Sequence, residues 1–231
     1  MDDRRYRILM RVAIVLTIAW IGWTFYDSNL KQTAPGSHDL AAAGKQLEDG
    51  EYQDALDNFD KVLAMDPANL GALRGHAQTL MQMGAREERR ALELERERKP
   101  READQAITRA MERYRQALAG YDEAIAPQHP RDVDDLGRRI QGVALANRGI
   151  LKDRVGDYPG ALADYLQSLR LAPEVKEGPG LLTRFMRNQP QKPPTVADRA
   201  RYLEQQLALP ESQQMLRLPE EDSRQRSYKL D

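Results

Sequence analysis

The stretches GEYQDALDNFDKVLAMDP, residues 50–67, and GDYPGALADYLQSLRLAP, residues 156–173, read as two copies of one pattern. Gly50, Tyr52, Ala55, Phe59, Leu63 and Pro67 recur at a constant offset as Gly156, Tyr158, Ala161, Tyr165, Leu169 and Pro173. Each residue type has a task in a helical hairpin. Glycine permits a tight turn between helices, a small alanine lets two backbones approach, an aromatic ring fills the groove beside it, and proline stops the second helix. The constant offset marks an internal repeat of such hairpins.

Both stretches resemble the second half of a tetratricopeptide repeat, whose pattern is G-x-[YF]-x-x-A-x-x-x-[FY]-x-x-A-[LI]-x-x-x-P. Val62 and Ser168 stand where that pattern usually has a second alanine. In the preceding helices Ala43, Ala77 and Gly149 fit the small position of the first half. The bulky residue four positions earlier is present as Leu73 and Leu145 but replaced by Asp39, and Gln46, Leu80 and Lys152 stand where tyrosine is usual. The resemblance covers roughly 36–173, strongly at both ends and weakly in the middle.

The middle contains a helix start at 70–83 and a second-half match, RYRQALAGYDEAI, with Ala117, Tyr121 and Ala124, separated by additional sequence. The run 86–98 is densely charged, with helix-supporting pairs such as Arg89 with Glu93 and Glu95 with Lys99. After Pro100, Ala103, Ile107, Ala110, Tyr114, Ala117, Tyr121 and Ala124 recur with heptad-like spacing. Two readings of 85–113 follow: both helices of the second pair are lengthened and meet at a Lys99-Pro100 turn, or one divergent pair is inserted. A third pair follows, with one long helix over 132–155. Beyond Pro173 the sequence predicts a loop over 174–180, a short helix over 181–187, a break at PQKPP, and a helix capped by Thr195 and Asp198 that buries Val196, Ala200, Leu203 and Leu207 over the end of the stack. The last residues, 210–231, form a polar tail.

The N-terminus differs in character. Arg4, Arg5, Arg7 and Arg11 precede the uncharged run VAIVLTIAWIGWTFY, 12–26. With 8–11 included, a helix of roughly 28 Å results, near the hydrocarbon thickness of a bilayer. Arg11 at one end reaches back to headgroups, and Trp20, Trp23 and Tyr26 suit the opposite interface. Bulky Trp23, Phe25 and Tyr26 occupy the place where small residues would mark signal cleavage, which favours retention. Basic residues stay on the cytoplasmic side, so the N-terminus is expected in the cytoplasm and the repeat domain outside it, on the periplasmic side of a bacterial inner membrane.

The expected architecture is all-α: a transmembrane anchor at 1–27, a linker at 28–37, an α-hairpin solenoid at 38–173 made of 38–67, 70–126 and 131–173, a loop and capping helices at 174–209, and the tail. Composition agrees, with 31% charged and 6% aromatic residues, few for a sheet protein. Thirty-five Lys and Arg against 36 Asp and Glu give a net charge of −1, with no basic excess to recruit nucleic acid. The chain has no cysteine, and His38, His76 and His129 are scattered. The sequence contains no phosphate loop, zinc-protease motif, nucleophile elbow or dinucleotide fingerprint, and the Glu220, Glu221 and Asp222 triplet lacks the ligand spacing of a calcium loop. No catalytic residue, cofactor, metal or small-molecule substrate is expected. The tetratricopeptide resemblance implies instead that other proteins dock on a concave face lined by Leu40, Leu47, Arg74, Gln78, Met81, Ile150 and Asp153. Leu40, Gly44, Ala146 and Ile150 do not supply the Lys and Asn cluster of the family's carboxylate clamps. A membrane-tethered scaffold or assembly factor is the leading expectation, and a permanent accessory subunit of a membrane complex the alternative.

Overall fold

The computed structural model describes residues 3–30, 36–126, 135–178, 194–218 and 227–228, with the side chains of the first helix described over 10–23. Among the described residues every regular element is helical: α1 (Asp3–Leu30), α2 (Ser37–Asp49), α3 (Tyr52–Met65), α4 (Leu70–Arg96), α5 (Pro100–Ile125), α6 (Asp135–Val155), α7 (Tyr158–Leu171), a 3₁₀ turn at Pro173–Lys176, α8 (Val196–Leu207) and a 3₁₀ turn at Glu211–Gln213. The chain divides into two compact units, 1–38 and 39–231. The sequence expectations at 181–187, Pro179, Gly180, His129 and Glu220–Asp222 lie outside the described residues.

In the first unit, the side chains described on α1, those of 10–23, are exposed all round the helix. Val12, Ile14, Val15, Leu16, Ile18 and Ile21 are each at least half exposed, as are Trp20 and Trp23. Its one hydroxyl in this run is satisfied within the helix, Thr17 Oγ1 donating to the Ala13 carbonyl at 2.8 Å. Among the described residues no helix is long and apolar enough to cross a membrane. The segment expected as the anchor lies within α1.

In the second unit the helices form three hairpins: α4/α5 and α6/α7 lie along each other, and α2 packs Ala43 against Ala55, Phe59 and Val62 of α3. α3 meets α4 and α5 meets α6, so the hairpins follow in chain order. All three interhelical turns use one device. The residue after the C-cap takes a left-handed conformation, and two backbone bonds close the last turn: Glu51 N–H to Gln46 O, Lys99 N–H to Leu94 O, and Asp157 N–H to Lys152 O, each 2.9 Å, are the longer-range bonds of the three. Gly50 and Gly156 fill that position at φ 81° and 92°, whereas Arg98 fills it at φ 60°. A side chain in this region costs energy that glycine does not. Arg98→Gly is therefore expected to raise stability by about 0.5–1 kcal/mol, measured by urea denaturation; a loss would refute the strain.

The middle pair is long. α4 has 27 residues and α5 has 26, roughly 40 Å each, against 14 in α3. They lie along each other throughout, meeting at the Arg98 turn. Near the turn they bury only the seam between themselves, Ala91 and Leu94 against Ala103 and Ala106. The heptad-like reading of α5 needs one correction: Ala106 takes the buried place and Ile107 is 39% exposed. A straight helix turns 100° per residue, so the buried stripe drifts along α5, and its centre over Ala103, Ala110, Tyr114, Ala117, Tyr121 and Ala124 lies closer to Ala106 than to Ile107.

Close approach explains the small residues. A Cβ on Gly75 would stand 2.3 Å from the Phe59 ring, one on Gly84 2.5 Å from Tyr114, and one on Gly149 2.7 Å from Tyr165. Each ring lies against bare backbone, so large aromatics pack without spreading the helices. Val62 and Ser168, the departures from alanine, are both fully buried. The Ser168 hydroxyl has no hydrogen-bond partner among the described residues. Ser168→Ala removes a desolvated hydroxyl without changing shape, so it is expected to stabilise by about 1 kcal/mol, visible as a rise in Tm.

Candidate functional site

The inner face is built from the first helices of the pairs. α4 and α6 touch each other, placing Gln78 and Gln82, one helical turn apart on α4, near Asn147 on α6. Gln78 is 3% exposed and Asn147 is fully buried. Buried amides are costly unless bonded. Here their partners come from the C-terminal end of the same chain. Gln78 Nε2 and Gln82 Nε2 both donate to Ser227 Oγ, at 3.2 and 2.8 Å. Asn147 Nδ2 donates to the Tyr228 carbonyl at 3.1 Å, and the Tyr228 N–H donates to Asn147 Oδ1 at 2.7 Å.

A second element closes the same face. α8 begins with a full capping box between Thr195 and Asp198, and it buries Val196, Ala200 and Leu203 in the main core. Arg199 projects from it onto Asp153 of α6, its Nε and Nη2 each donating to one carboxylate oxygen at 2.7 Å. The pair is 3% and 4% exposed. Asp153 also accepts the Tyr165 hydroxyl, 3.1 Å away. Arg199 Nη2 also donates to the Leu216 carbonyl at 2.8 Å, holding the chain that follows α8. The Tyr228 hydroxyl accepts the Val196 N–H at 2.9 Å, which joins the two covering segments. Burial raises the Tyr228 phenol to about 12, with Asp198 adding to the effect.

Of the seven residues expected to line a concave face, Gln78, Met81, Ile150 and Asp153 are buried. Met81 takes the Tyr121 hydroxyl on its sulfur and Ile150 belongs to the core, so these two serve packing. Leu40 and Leu47 are half-buried against Ala43, Phe59 and Val62. Arg74 is half-buried and its Nη1 donates to Gln78 Oε1 at 3.3 Å. Its Nε is buried without a partner among the described residues, and burial lowers its pKa. The structure therefore brings Arg74, Gln78 and Asp153 to the covered inner face and leaves the leucines at the first hairpin. Gln82, Asn147 and Arg199 are the functional candidates that sequence reading omitted. The sequence signal for the two amides was position: Gln82 lies one turn beyond Gln78, and Asn147 between Leu145 and Gly149 on the packed helix.

Other polar groups serve the stack. Arg148 holds Asp164 through two bonds of 2.7 and 2.6 Å, and Lys152 adds a third at 3.0 Å. The Tyr114 hydroxyl and Arg154 both donate to Glu88, at 2.8 and 2.7 Å, which ties the long hairpin to α6. His76 pairs with exposed Asp60 at 3.3 Å, while burial lowers its pKa. Among the described residues no three His, Cys, Asp or Glu side chains gather as a metal site. Of the expected anchor residues, Arg11, Trp20 and Trp23 are exposed on α1, and Tyr26 lies in the helix with its side chain outside the described set.

Residues 46–92, covering α3, most of α4 and the turn before α3, match the family model described as tetratricopeptide repeat. That match supports a tetratricopeptide repeat in this part of the chain and, with it, a role in protein–protein interaction. No curated protein and no solved structure matches the chain.

Proposed function

We propose that the protein is a membrane-anchored interaction scaffold or assembly factor, non-enzymatic, whose α-hairpin unit binds other proteins beside the bilayer. The observation that carries the binding role is the repeat match at 46–92, set among stacked hairpins whose inner face seats the backbone of Tyr228. Anchoring is supported by α1, whose described apolar side chains from Val12 to Trp23 are exposed around the helix. Four arginines before the apolar run favour a cytoplasmic N-terminus and an extracytoplasmic hairpin unit. Tethering raises local concentration, so modest contacts suffice for capture.

The full chain is expected to stay with membranes through alkaline carbonate washing. A cysteine placed at exposed Gln53 is expected to react with an impermeant maleimide in spheroplasts. Release by carbonate would refute the anchor, and protection of Gln53→Cys would refute the orientation. The exposed apolar flank of α1 also favours a second reading, a permanent accessory subunit whose helix packs on another transmembrane helix. Native mass measurement after mild detergent extraction separates the two: a fixed stoichiometry indicates the subunit, sub-stoichiometric capture the scaffold.

A further inference from the structure

We propose that Gln78, Gln82 and Asn147 form a slot for an extended peptide, that Ser227–Tyr228 occupies it as a resident and displaceable ligand, and that partners present the same pair, a small hydroxyl residue followed by an aromatic. The inference rests on the protein-binding reading and deepens it by naming the site and the chemistry of its occupant.

The slot reads backbone first. Asn147, fully buried, offers its amide as donor to one carbonyl and as acceptor to one N–H of the same residue, as a neighbouring strand would. This exchange demands an extended segment and is indifferent to its side chain. Side-chain selection comes from the flanks. The two glutamines converge on a single oxygen, which a hydroxyl accommodates with its two lone pairs. One residue later the tyrosine ring packs beside Val143, Ala172 and Val175, with its hydroxyl meeting the first N–H of α8. An aromatic fills that place, and a phenol satisfies its rim.

The occupant is held by features suited to exchange. Asp153 and Arg199 fix α8 independently of residues 227 and 228, so the slot keeps its far wall when the tail leaves. The polar contacts that seat Ser227 and Tyr228 are single hydrogen bonds rather than ion pairs. A covalently attached segment competes at an effective concentration on the order of millimolar, which a tighter partner exceeds. Apolar residues would fill a permanent seam at lower cost than three amides that require a partner.

The test uses the full chain and a fluorescent peptide of residues 223–231, SRQRSYKLD. The chain carrying Ser227→Gly and Tyr228→Gly, unable to seat its own tail, is expected to bind this peptide at least tenfold more tightly than the wild type. Adding Asn147→Ala is expected to abolish that binding, and SRQRSGKLD is expected to bind at least tenfold more weakly. Equal affinity for wild-type and substituted chains, or binding by neither, overturns the proposal. A measurement on the unmodified protein stands beside it: the Tyr228 amide is expected to be protected from hydrogen exchange and to lose protection at saturating unlabelled peptide. Protection unchanged by peptide marks a permanent strap and overturns the proposal, even if the substituted chain fails to fold. Peptide capture with no membrane retention leaves the slot standing and removes the anchor. Partner capture with no peptide binding removes the slot alone.

Discussion

Replacing Arg199 by methionine is expected to destabilise the hairpin unit by about 3–5 kcal/mol, because it strands a buried carboxylate. Asp153 receives both Arg199 bonds at 2.7 Å and lies almost wholly out of water. After the change the Tyr165 hydroxyl is left as its hydrogen-bond donor. The doubly substituted chain, Asp153→Leu with Arg199→Met, removes both charges and is expected to recover most of the loss, since a buried ion pair is worth little relative to apolar residues of similar volume. Chemical denaturation of the four chains in a double-mutant cycle measures the coupling. A single-variant loss below about 1 kcal/mol would place the pair in solvent, contrary to its burial. The same variant frees the Leu216 carbonyl, so exchange protection after α8 should fall with it.

The second large effect belongs to Tyr165, which is fully buried against Gly149. Tyr165→Ala is expected to cost about 3–5 kcal/mol, the transfer of a large ring plus the cavity left beside bare helix backbone. Tyr165→Phe keeps the ring and removes only the bond to Asp153, so about 0.5–1.5 kcal/mol is expected. A large loss in the phenylalanine variant would mean that the hydroxyl, rather than the ring, holds α6 to α7. Because Tyr165 and Arg199 share Asp153, their losses are expected to be non-additive.

The helices were legible where local chemistry and packing agree. Gly50 and Gly156 announce left-handed turns, and the structure places both at positive φ. The middle turn was harder to see because Arg98 replaces glycine there, leaving Pro100 as the signal. Of the two readings of 85–113, the structure has two long helices along one seam. The seam itself was misread at one place, since a sequence written in strict 4-3 steps reaches Ile107 where a straight helix presents Ala106.

The inner face was legible as a location and not as a surface. Repeat geometry assigns Gln78 and Asp153 to the first helices, and they do lie there. What covers them comes from residues far along the chain: Arg199 reaches Asp153, and Ser227 reaches Gln78. Periodicity is silent about such pairings, because a polar tail carries no apolar stripe to say where it docks. Asn147 was missed for the same reason. An asparagine inside a helix has no local task, and its role appears only once the Tyr228 backbone lies against it.

The binding account meets its most direct test in native membranes. A photoreactive amino acid at Gln82, on the inner face, is expected to give a discrete adduct with another protein, lost in the Asn147→Ala background. The same group at Leu166, exposed on a second helix, is expected to give none. Adducts of equal strength from both positions, or from neither, would contradict a scaffold that binds through the face lined by α4 and α6.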